Sequence, residues 1–402
     1  MKFINHKFTA EYPLYGATFI QSNPNEAIFV VAGGGGEGKN GIPNMITSYR
    51  YDSQKSELEK LHDFNLPEED DSPTVINSHL ETDQIILIGC NENSANIKSG
   101  KGNKHLRRFQ LDQKFQLQLT KSIDLFHSCN PEEYTKFLEI SNDGRLAAVV
   151  PCVDSNFLIK LIEVTTLNEK FEINNIAKEV KDIGFTPNSK YIAYITSDSL
   201  QVMSTETGKP IVRLSQDFIS KGWNLSKMKF INDNTLLMAA TQYKNGNNRK
   251  KRDSGIVLIK VVLSDNDATV VESKLLSNKF KGVTSMDLNE SNNLLTLATN
   301  ENSILVIQLS SFKIQTIFNQ IHSFAITKVI ISSDGKYIVS VSAANTIHII
   351  EIPDLSKNLF SNGFISMQFV LSVIILLLVI VFYNLSVENK QYIKSQIKDY
   401  VF

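Results

Sequence analysis

The segment FLEISNDGRLAAVV, residues 137–150, contains an apolar strand, a polar turn and a second apolar strand. Two further segments have the same form: IGFTPNSKYIAYI at residues 183–195 and VIISSDGKYIVSV at residues 329–341. Apolar, β-branched runs on both sides of a tight polar turn indicate a β-hairpin. An alternating run, IHII at residues 347–350, follows the last hairpin as a third strand. The pattern therefore predicts a repeated all-β unit.

The hairpin pattern recurs along the chain at intervals of roughly 45 to 60 residues, which is the WD-repeat period with insertions. Its seven polar turns lie at Asn25, Asp83, Asp143, Asn188, Asp233, Asn289 and Asp334. Seven such units predict a seven-bladed, WD-repeat-like β-propeller over residues 1–360. No unit has a clear Trp-Asp dipeptide, so the prediction rests on periodicity. The inner strands should bury Phe29, Leu138, Phe185 and Ile330.

Composition excludes several functional classes. The chain has 402 residues and a formal net charge of −1, so no global field attracts it to nucleic acid. Its three cysteines are far apart, which suits reduced thiols in the cytosol better than a disulfide framework. The seven histidines show no metal-binding spacing, and no catalytic set can be assembled from the sequence. We therefore expect a binding protein rather than an enzyme of bond chemistry.

The C-terminal part of the chain contains a candidate membrane span. Residues 364–383, FISMQFVLSVIILLLVIVFY, carry no charge and are long enough, as a helix, to cross a hydrocarbon core of about 30 Å. A buried core helix is the alternative, but the central run is apolar on every face. The sequence predicts a single transmembrane helix followed by a short tail, residues 384–402.

Two features of the sequence favour opposite orientations of the span in the membrane. Lys390, Lys394 and Lys398 follow the span and only Lys357 lies close before it, which by the positive-inside rule would place the tail in the cytosol. The N-terminus has no apolar run of signal-peptide length, and a large domain made before a late span would fold in the cytosol. We expect the second argument to hold, with the propeller cytosolic, the tail lumenal and glycosylation at Asn384 doubtful.

Residues 33–44, GGGGEGKNGIPN, form a glycine-rich loop directly after the apolar strand at residues 27–31. Four consecutive glycines persist where the backbone must take positive φ or approach another group closely. The loop matches the start of a phosphate-binding Walker motif, but Asn40 replaces the Ser/Thr and Gly41-Ile42-Pro43 cannot open a helix. A long hairpin turn is a second interpretation. The third is a loop whose carbonyls bind a hard cation while Ile42 and Pro43 point outward.

Two other insertions interrupt the repeats. Residues 89–108, in the second unit, predict a long polar hairpin loop. Residues 244–253, KNGNNRKKRD, form a basic run in the fifth unit, which we interpret as a solvated loop rather than a contact with anionic lipid or a partner.

The chain resembles the Sec-twelve family over residues 1–352. The glycine loop looks like the potassium loop of that family, and fungal members resemble the chain at residues 71–74, 89–94, 100–107, 322–327 and 342–350. These proteins are guanine nucleotide exchange factors of the endoplasmic reticulum membrane, which activate the Sar GTPase and start COPII coat assembly. The resemblance therefore implies a Sar-type GTPase as partner, with COPII coat components as further candidate partners.

The resemblance also implies roles for individual residues. The loop residues expected to act on the GTPase are Gly33, Gly34, Gly35, Gly36, Ile42, Pro43 and Asn44. A potassium ion would bind the Asn44 side chain and backbone carbonyls, with Gly33, Gly34 and Gly41 as candidates. Asp71 and Pro73 are expected to contact the partner or support the loop. A membrane-anchored propeller scaffold without exchange activity is the alternative, although such a scaffold would be expected to lose Asn44 or the glycines.

Overall fold

The computed structural model of the chain describes residues 2–38, 40–79, 84–243, 254–264 and 267–353. Within these residues the chain forms seven four-stranded antiparallel sheets. Each sheet is one blade, with its strands given from the inside outward. Blade one is β2 (Leu14–Asn23), β3 (Glu26–Gly33), β4 (Met45–Asp52) and β5 (Glu57–Asn65); blade two is β6 (Val75–His79), β7 (Ile85–Gly89), β8 (Leu106–Leu111) and β9 (Leu117–Ile123); blade three is β10 (Tyr134–Ile140), β11 (Leu146–Cys152), β12 (Phe157–Glu163) and β13 (Glu169–Ile176); and blade four is β14 (Asp182–Phe185), β15 (Tyr191–Ile195), β16 (Leu200–Ser204) and β17 (Pro210–Leu214). Blade five is β18 (Trp223–Asn232), β19 (Thr235–Tyr243), β20 (Ser254–Ser264) and β21 (Asp267–Ser277); blade six is β22 (Val283–Asn289), β23 (Leu294–Thr299), β24 (Ile304–Gln308) and β25 (Lys313–Phe318); and blade seven is β26 (Ile326–Ile331), β27 (Tyr337–Ser342), β28 (Thr346–Glu351) and β1 (Ile4–Thr9).

The blades form a closed ring. Their first strands contact one another in the order β2, β6, β10, β14, β18, β22 and β26, and β26 contacts β2 again. The seventh blade takes its outer strand from the N-terminus, because β1 pairs with β28 from Ile4 opposite Glu351 to Thr9 opposite Thr346. The predicted seven-bladed propeller is confirmed.

Neighbouring blades pack face to face, and this explains the continuous apolar runs in the sequence. Every residue of β7 is buried, since both faces of a middle strand are covered by adjacent sheets. Phe29, Leu138, Phe185 and Ile330 are all buried, as predicted. The hydrophobic clusters each join two neighbouring blades, so the core is a ring of inter-blade contacts.

Antiparallel strands alternate in direction, so the connections between them alternate between two faces of the ring. Those that join the second and third strands of a blade, and those that join one blade to the next, share one face, here called the upper face. The glycine loop between β3 and β4 lies there, together with residues 66–74 between blades one and two. Strand β28 ends on the opposite, lower face, where Glu351 accepts a hydrogen bond from Tyr51 Oη at the far end of β4 (2.6 Å).

Details of the predicted loops differ. The turns occur as expected at Asn25, Asp143, Asn188, Asp233 and Asp334, but Asn289 is the last residue of β22. The predicted long hairpin loop at residues 89–108 connects the antiparallel strands β7 and β8, and it also contains a short helix, α1 (Ser94–Lys98), which buries Ile97 and is capped by Asn93. A second helix, α2 (Gln216–Lys221), connects blades four and five.

Several predictions fall on residues outside the described ranges: the turn at Asp83, the basic run 244–253, the span 364–383, the tail 384–402 and the boundary at residue 360. Among the residues that the structure does describe, no helix has the length and apolar character needed to cross a bilayer. The described propeller is one compact unit, Lys2–Ile352.

Candidate functional site

The base of the glycine loop is so tightly packed that side chains have no room. A Cβ atom on Gly33 would lie 1.9 Å from the Pro13 carbonyl oxygen. Gly34 has φ of +155°, and a Cβ atom there would lie 2.1 Å from Asn44 Oδ1. The Gly34 N–H donates to the Pro13 carbonyl at 2.9 Å, so the loop is attached to the connection between blades seven and one. Glycine at these positions permits close approach between backbone segments.

Asn44 links the two ends of the loop and joins them to the next connection. Its Oδ1 accepts a hydrogen bond from Gly36 N (3.0 Å), while Nδ2 donates to the carbonyls of Gly36 (3.2 Å) and Asp70 (2.7 Å). Its own carbonyl accepts from Leu66 N at 2.9 Å. The residue is only 6% exposed, so these bonds are protected from water. Asn44 therefore holds the loop in one conformation.

A second asparagine organises the tip. Asn40 Nδ2 donates to the Gly35 carbonyl and its Oδ1 accepts from Ile42 N, both at 2.9 Å. These bonds close a small turn ahead of the apolar tip. Ile42 is 39% exposed and Pro43 is also exposed, as the sequence predicted for the tip of this loop. An ordered loop thus presents an apolar side chain to solvent.

Asp71 and Glu37 connect the loop to its neighbours. Asp71 Oδ1 accepts from the backbone N–H of Ser72 (2.7 Å) and of Glu37 (3.3 Å). The Glu37 carboxylate accepts in turn from Ser94, from the backbone N–H at 3.0 Å and from Oγ at 2.9 Å. Pro73 is buried in the same connection. Three upper-face segments, from blades one and two and the connection between them, therefore form one unit.

A buried ion pair lies beneath this unit. Arg107 Nη2 of β8 is 2.7 Å from Asp70 Oδ2, and the two side chains are only 5% and 10% exposed. Burial raises the pKa of the Asp70 carboxyl above its ordinary value, and the Arg107 guanidinium opposes that rise. Nearby, Cys90 Sγ donates to the Asp71 carbonyl at 3.2 Å. Burial raises the pKa of the Cys90 thiol to about 12, so it is a structural group and not a nucleophile at neutral pH.

The loop does not have the topology of a Walker motif. Strands β3 and β4 are antiparallel neighbours, paired from Glu26 opposite Asp52 to Gly33 opposite Met45. A phosphate-binding loop of that type must open a helix, whose N-terminus completes the anion site. Met45 begins a strand instead, so the nucleotide-binding interpretation is wrong and the hairpin geometry is confirmed.

The oxygen atoms of the loop that could coordinate a cation suit an alkali cation. Among the described residues no hydrogen-bond donor contacts the carbonyls of Gly34 and Gly41, whereas those of Gly35 and Gly36 accept from Asn40 and Asn44. Asn44 Oδ1 adds a neutral amide oxygen. Within the same described ranges, no group of three or more His, Cys, Asp or Glu side chains is placed to hold a metal ion. Neutral oxygens of this kind are the ligands that potassium takes in proteins.

The sequence is similar to those of known proteins. Over 356 residues it is 43% identical to the Candida glabrata protein named Guanine nucleotide-exchange factor SEC12, covering 88% of this chain and 73% of that protein. The chain belongs to the SEC12 family of guanine nucleotide-exchange factors.

Two further members of this family group have the name Putative guanine nucleotide-exchange factor SED4. The chain is 33% identical to the Saccharomyces cerevisiae protein over 356 residues, covering 87% of this chain and 31% of that one. It is 33% identical to the Candida glabrata protein over 394 residues, covering 95% of this chain and 36% of that one. The chain thus spans about a third of these two longer relatives. No protein-family model matches the chain.

The residues that the family resemblance singled out lie together in the structure. Gly33 to Gly36, Gly41, Ile42, Pro43 and Asn44 form the loop, and Asp71 bonds to it through Glu37. Pro73 lies buried beside them rather than on the surface. Sequence reasoning missed Asn40, Asp70 and Arg107 as supports. Asn40 carries a local signal, since an asparagine two residues before Ile42 can bond to its backbone N–H. Asp70 and Arg107 carry none, because the inter-blade connection and β8 meet only in the folded chain.

Proposed function

We propose that this chain is a guanine nucleotide exchange factor for a Sar-type small GTPase at the endoplasmic reticulum membrane, where it starts COPII coat assembly. The observation that carries the proposal is the intact, ordered glycine loop in a chain that is 43% identical to a protein named as an exchange factor. Guanine nucleotide exchange follows from the family. The Sar-type partner, the membrane and the coat are supported by the resemblance of the loop and of the segments around it.

Exchange needs no bond chemistry. A factor that binds the nucleotide-free GTPase better than the nucleotide-bound form lowers the barrier to nucleotide release. The chain offers Ile42 and Pro43 as an apolar tip, held in place by Asn40. Since the loop is fastened to blade two through Glu37 and Asp71, force on the tip is resisted by the ring. We expect the tip to contact the GTPase near its nucleotide.

A potassium ion would be held by Asn44 Oδ1 and by backbone carbonyls of the loop, with those of Gly34 and Gly41 as the best candidates and that of Gly33 as a third. The bound ion would supply rigidity to the loop. Asn44 has a second role that does not depend on the ion, because its amide already joins Gly36 to Asp70. Asp71 and Pro73 would act as supports of the loop, and Asp71, which is half-buried, could also contact the partner.

Two substitutions distinguish the contribution of the apolar tip to exchange from that of the potassium ion. Ile42→Ala removes the apolar contact and leaves every hydrogen bond of the loop in place, so its exchange defect should persist at saturating potassium. Asn44→Ala removes a ligand and three buried hydrogen bonds, which costs roughly 1–3 kcal/mol of stability as well as activity. Replacing potassium by lithium should reproduce the activity loss without that cost in stability, because a smaller ion cannot satisfy carbonyls spaced for a larger one. Equal exchange rates in potassium and lithium would remove the ion from the proposal.

The membrane location rests on residues 364–383 and is tested separately. Protease added to intact microsomes should digest the propeller if residues 1–363 face the cytosol and Asn384 faces the lumen. Full protection of the propeller would reverse this orientation.

The direct test of the function itself is GDP release from a Sar-type GTPase. Without any acceleration, a membrane-anchored scaffold becomes the better description.

A further inference from the structure

The central channel of the propeller contains a cavity that the exchange function does not use. Its volume is about 120 Å³, and residues from the innermost strands of all seven blades line it. Four lysines reach it from three blades, and Glu139 and Asp182 are the acids among its lining residues. The lysines are Lys136, Lys227, Lys229 and Lys328. Lysines thus outnumber acids among the residues that line the cavity.

Two of these lysines are neutralised by neighbouring acids. Lys136 forms an ion pair with Glu179. Lys229 Nζ lies 3.5 Å from Glu139 and 3.9 Å from Asp287, and Asp287 belongs to the adjoining lower cavity of the channel. Asp182, the other acid of the cavity, accepts a hydrogen bond from Met228 N at 2.8 Å and also attracts the Lys229 ammonium group.

Lys227 and Lys328 have no such partner. Across the described residues no carboxylate oxygen lies within 4 Å of either Nζ. Lys227 Nζ is 5.1 Å from the centre of the Phe137 ring, and Lys136 Nζ is 5.3 Å from the same ring, so both ammonium groups lie against Phe137. Burial lowers the pKa of Lys227; Asp182 opposes this, and the charges of Lys328 and Lys136 reinforce it.

A hydroxyl group in the same cavity also has no partner. Thr284 lines the cavity, and its Oγ1 is buried without a hydrogen bond to any described residue. An orphaned buried hydroxyl costs about 1–3 kcal/mol, and the half-buried ammonium groups of Lys227 and Lys328 line the same cavity. Ammonium groups without a carboxylate within 4 Å and an unbonded hydroxyl, all lining one cavity, indicate a site for an anion with several acceptor oxygens.

We propose that this cavity binds one tetrahedral oxyanion of the phosphate class, held by Lys227, Lys328 and Thr284. A cavity of about 120 Å³ has room for a single phosphate group. The bound anion would link three blades, because its ligands come from blades five, six and seven. The site is independent of the proposed GTPase exchange and lies beyond it.

Titration of the full chain, purified in detergent, with inorganic phosphate tests the site. At constant ionic strength, calorimetry should detect saturable binding, and the Lys227→Gln, Lys328→Gln double variant should weaken it at least about tenfold. Lys209→Gln, an exposed lysine on the lower face, is the matched control and should bind as the wild type does. Absence of saturable binding would overturn the site, as would equal loss in the control or equal competition by chloride, since both indicate an adventitious ion only.

Thermal unfolding of a variant that is expected to fold normally provides a second test of the anion site. Lys227→Met removes an unpaired charge, so without phosphate this variant should be at least as stable as the wild type. Phosphate should raise the unfolding temperature of the wild type and leave that of the Lys227→Met variant unchanged. A small phosphate monoester should stabilise the wild type less than inorganic phosphate does, because the cavity has room for one tetrahedral group. The same rise in the variant as in the wild type would contradict the assignment.

Discussion

Gly34 shows, at the scale of a single residue, why the loop requires glycine. Its amide donates to Pro13, and the space on its other side is filled by Asn44 and by the Pro43 carbonyl. Gly38 contrasts with it: φ is also positive, at +138°, but a Cβ atom there would have no neighbour within 4 Å. Substitution of Gly34 would therefore cause both a steric clash and backbone strain, whereas substitution of Gly38 would cause backbone strain alone.

We predict that Gly34→Ala lowers the rate of GDP release at least about tenfold. The added methyl group would displace the Asn44 amide and release the loop from Asp70. Gly38→Ala should cost about 1–3 kcal/mol of backbone strain, because residues other than glycine rarely adopt a φ of +138°, and it should keep most of the activity. Release rates and unfolding temperatures of the two variants provide the check. Equal activity would show that the closed base of the loop does not matter for exchange.

At the scale of elements, the Asp70–Arg107 pair joins the inter-blade connection to β8. Replacing one partner of a buried pair leaves an uncompensated charge and costs about 3–5 kcal/mol. An exposed pair of similar length offers the comparison. Arg145 Nη2 is 2.6 Å from Asp143 Oδ2, but the Arg145 side chain is 81% exposed, so its loss should cost at most about 1 kcal/mol.

Arg107→Leu should therefore unfold at much lower urea concentration than Arg145→Leu. Burial already raises the pKa of Asp70, and loss of Arg107 removes the group that opposes this rise. The folded variant then holds a proton more tightly than the unfolded chain, so its stability relative to the wild type should recover as pH falls from about 7 to about 5. Adding Asp70→Asn should remove this pH dependence. A stability gap that does not change with pH would contradict the assignment.

At the scale of the whole molecule, the ring depends on closure of blade seven. Its core contains His322, which is 2% exposed and bonds to Thr346 Oγ1 (2.6 Å) and Ser340 Oγ (2.8 Å). The His348 ring is 4.5 Å away, and His348 Nδ1 contacts Asn5 of the closing strand at 3.0 Å. Burial lowers the pKa of His322 to about 3 and that of His348 to about 4.

These histidines predict loss of stability in mild acid. Unfolded histidine titrates near about 6.5, so below that pH the unfolded chain binds protons that the folded chain does not. Each residue should cost about 2 kcal/mol between roughly pH 7 and pH 5. His322→Asn should remove its share of that slope, whereas the exposed His127→Asn should leave the slope unchanged. Urea unfolding midpoints at the two pH values measure this, and identical slopes in all three proteins would refute it.

Local patterns in the sequence were enough to predict the blades, because each hairpin carries its own strand and turn signals. They did not identify the supports of the loop, because Asp70 lies in an inter-blade connection and meets Arg107 of β8 only in the folded chain. Helix α1 was missed since it has five residues and one buried side chain, although Asn93 before Ser94 is a recognisable cap. The unpaired lysines of the channel are likewise invisible in sequence, because they come from different blades.

Exchange on a Sar-type GTPase through the glycine loop can be measured as GDP release. Fragment 1–360, added in catalytic amounts, should accelerate release from a Sar-type GTPase, followed by the tryptophan fluorescence of the GTPase. It should leave unrelated small GTPases unaffected, and Ile42→Ala should lose most of the effect while unfolding at the wild-type temperature. An unchanged release rate with micromolar fragment would contradict the account.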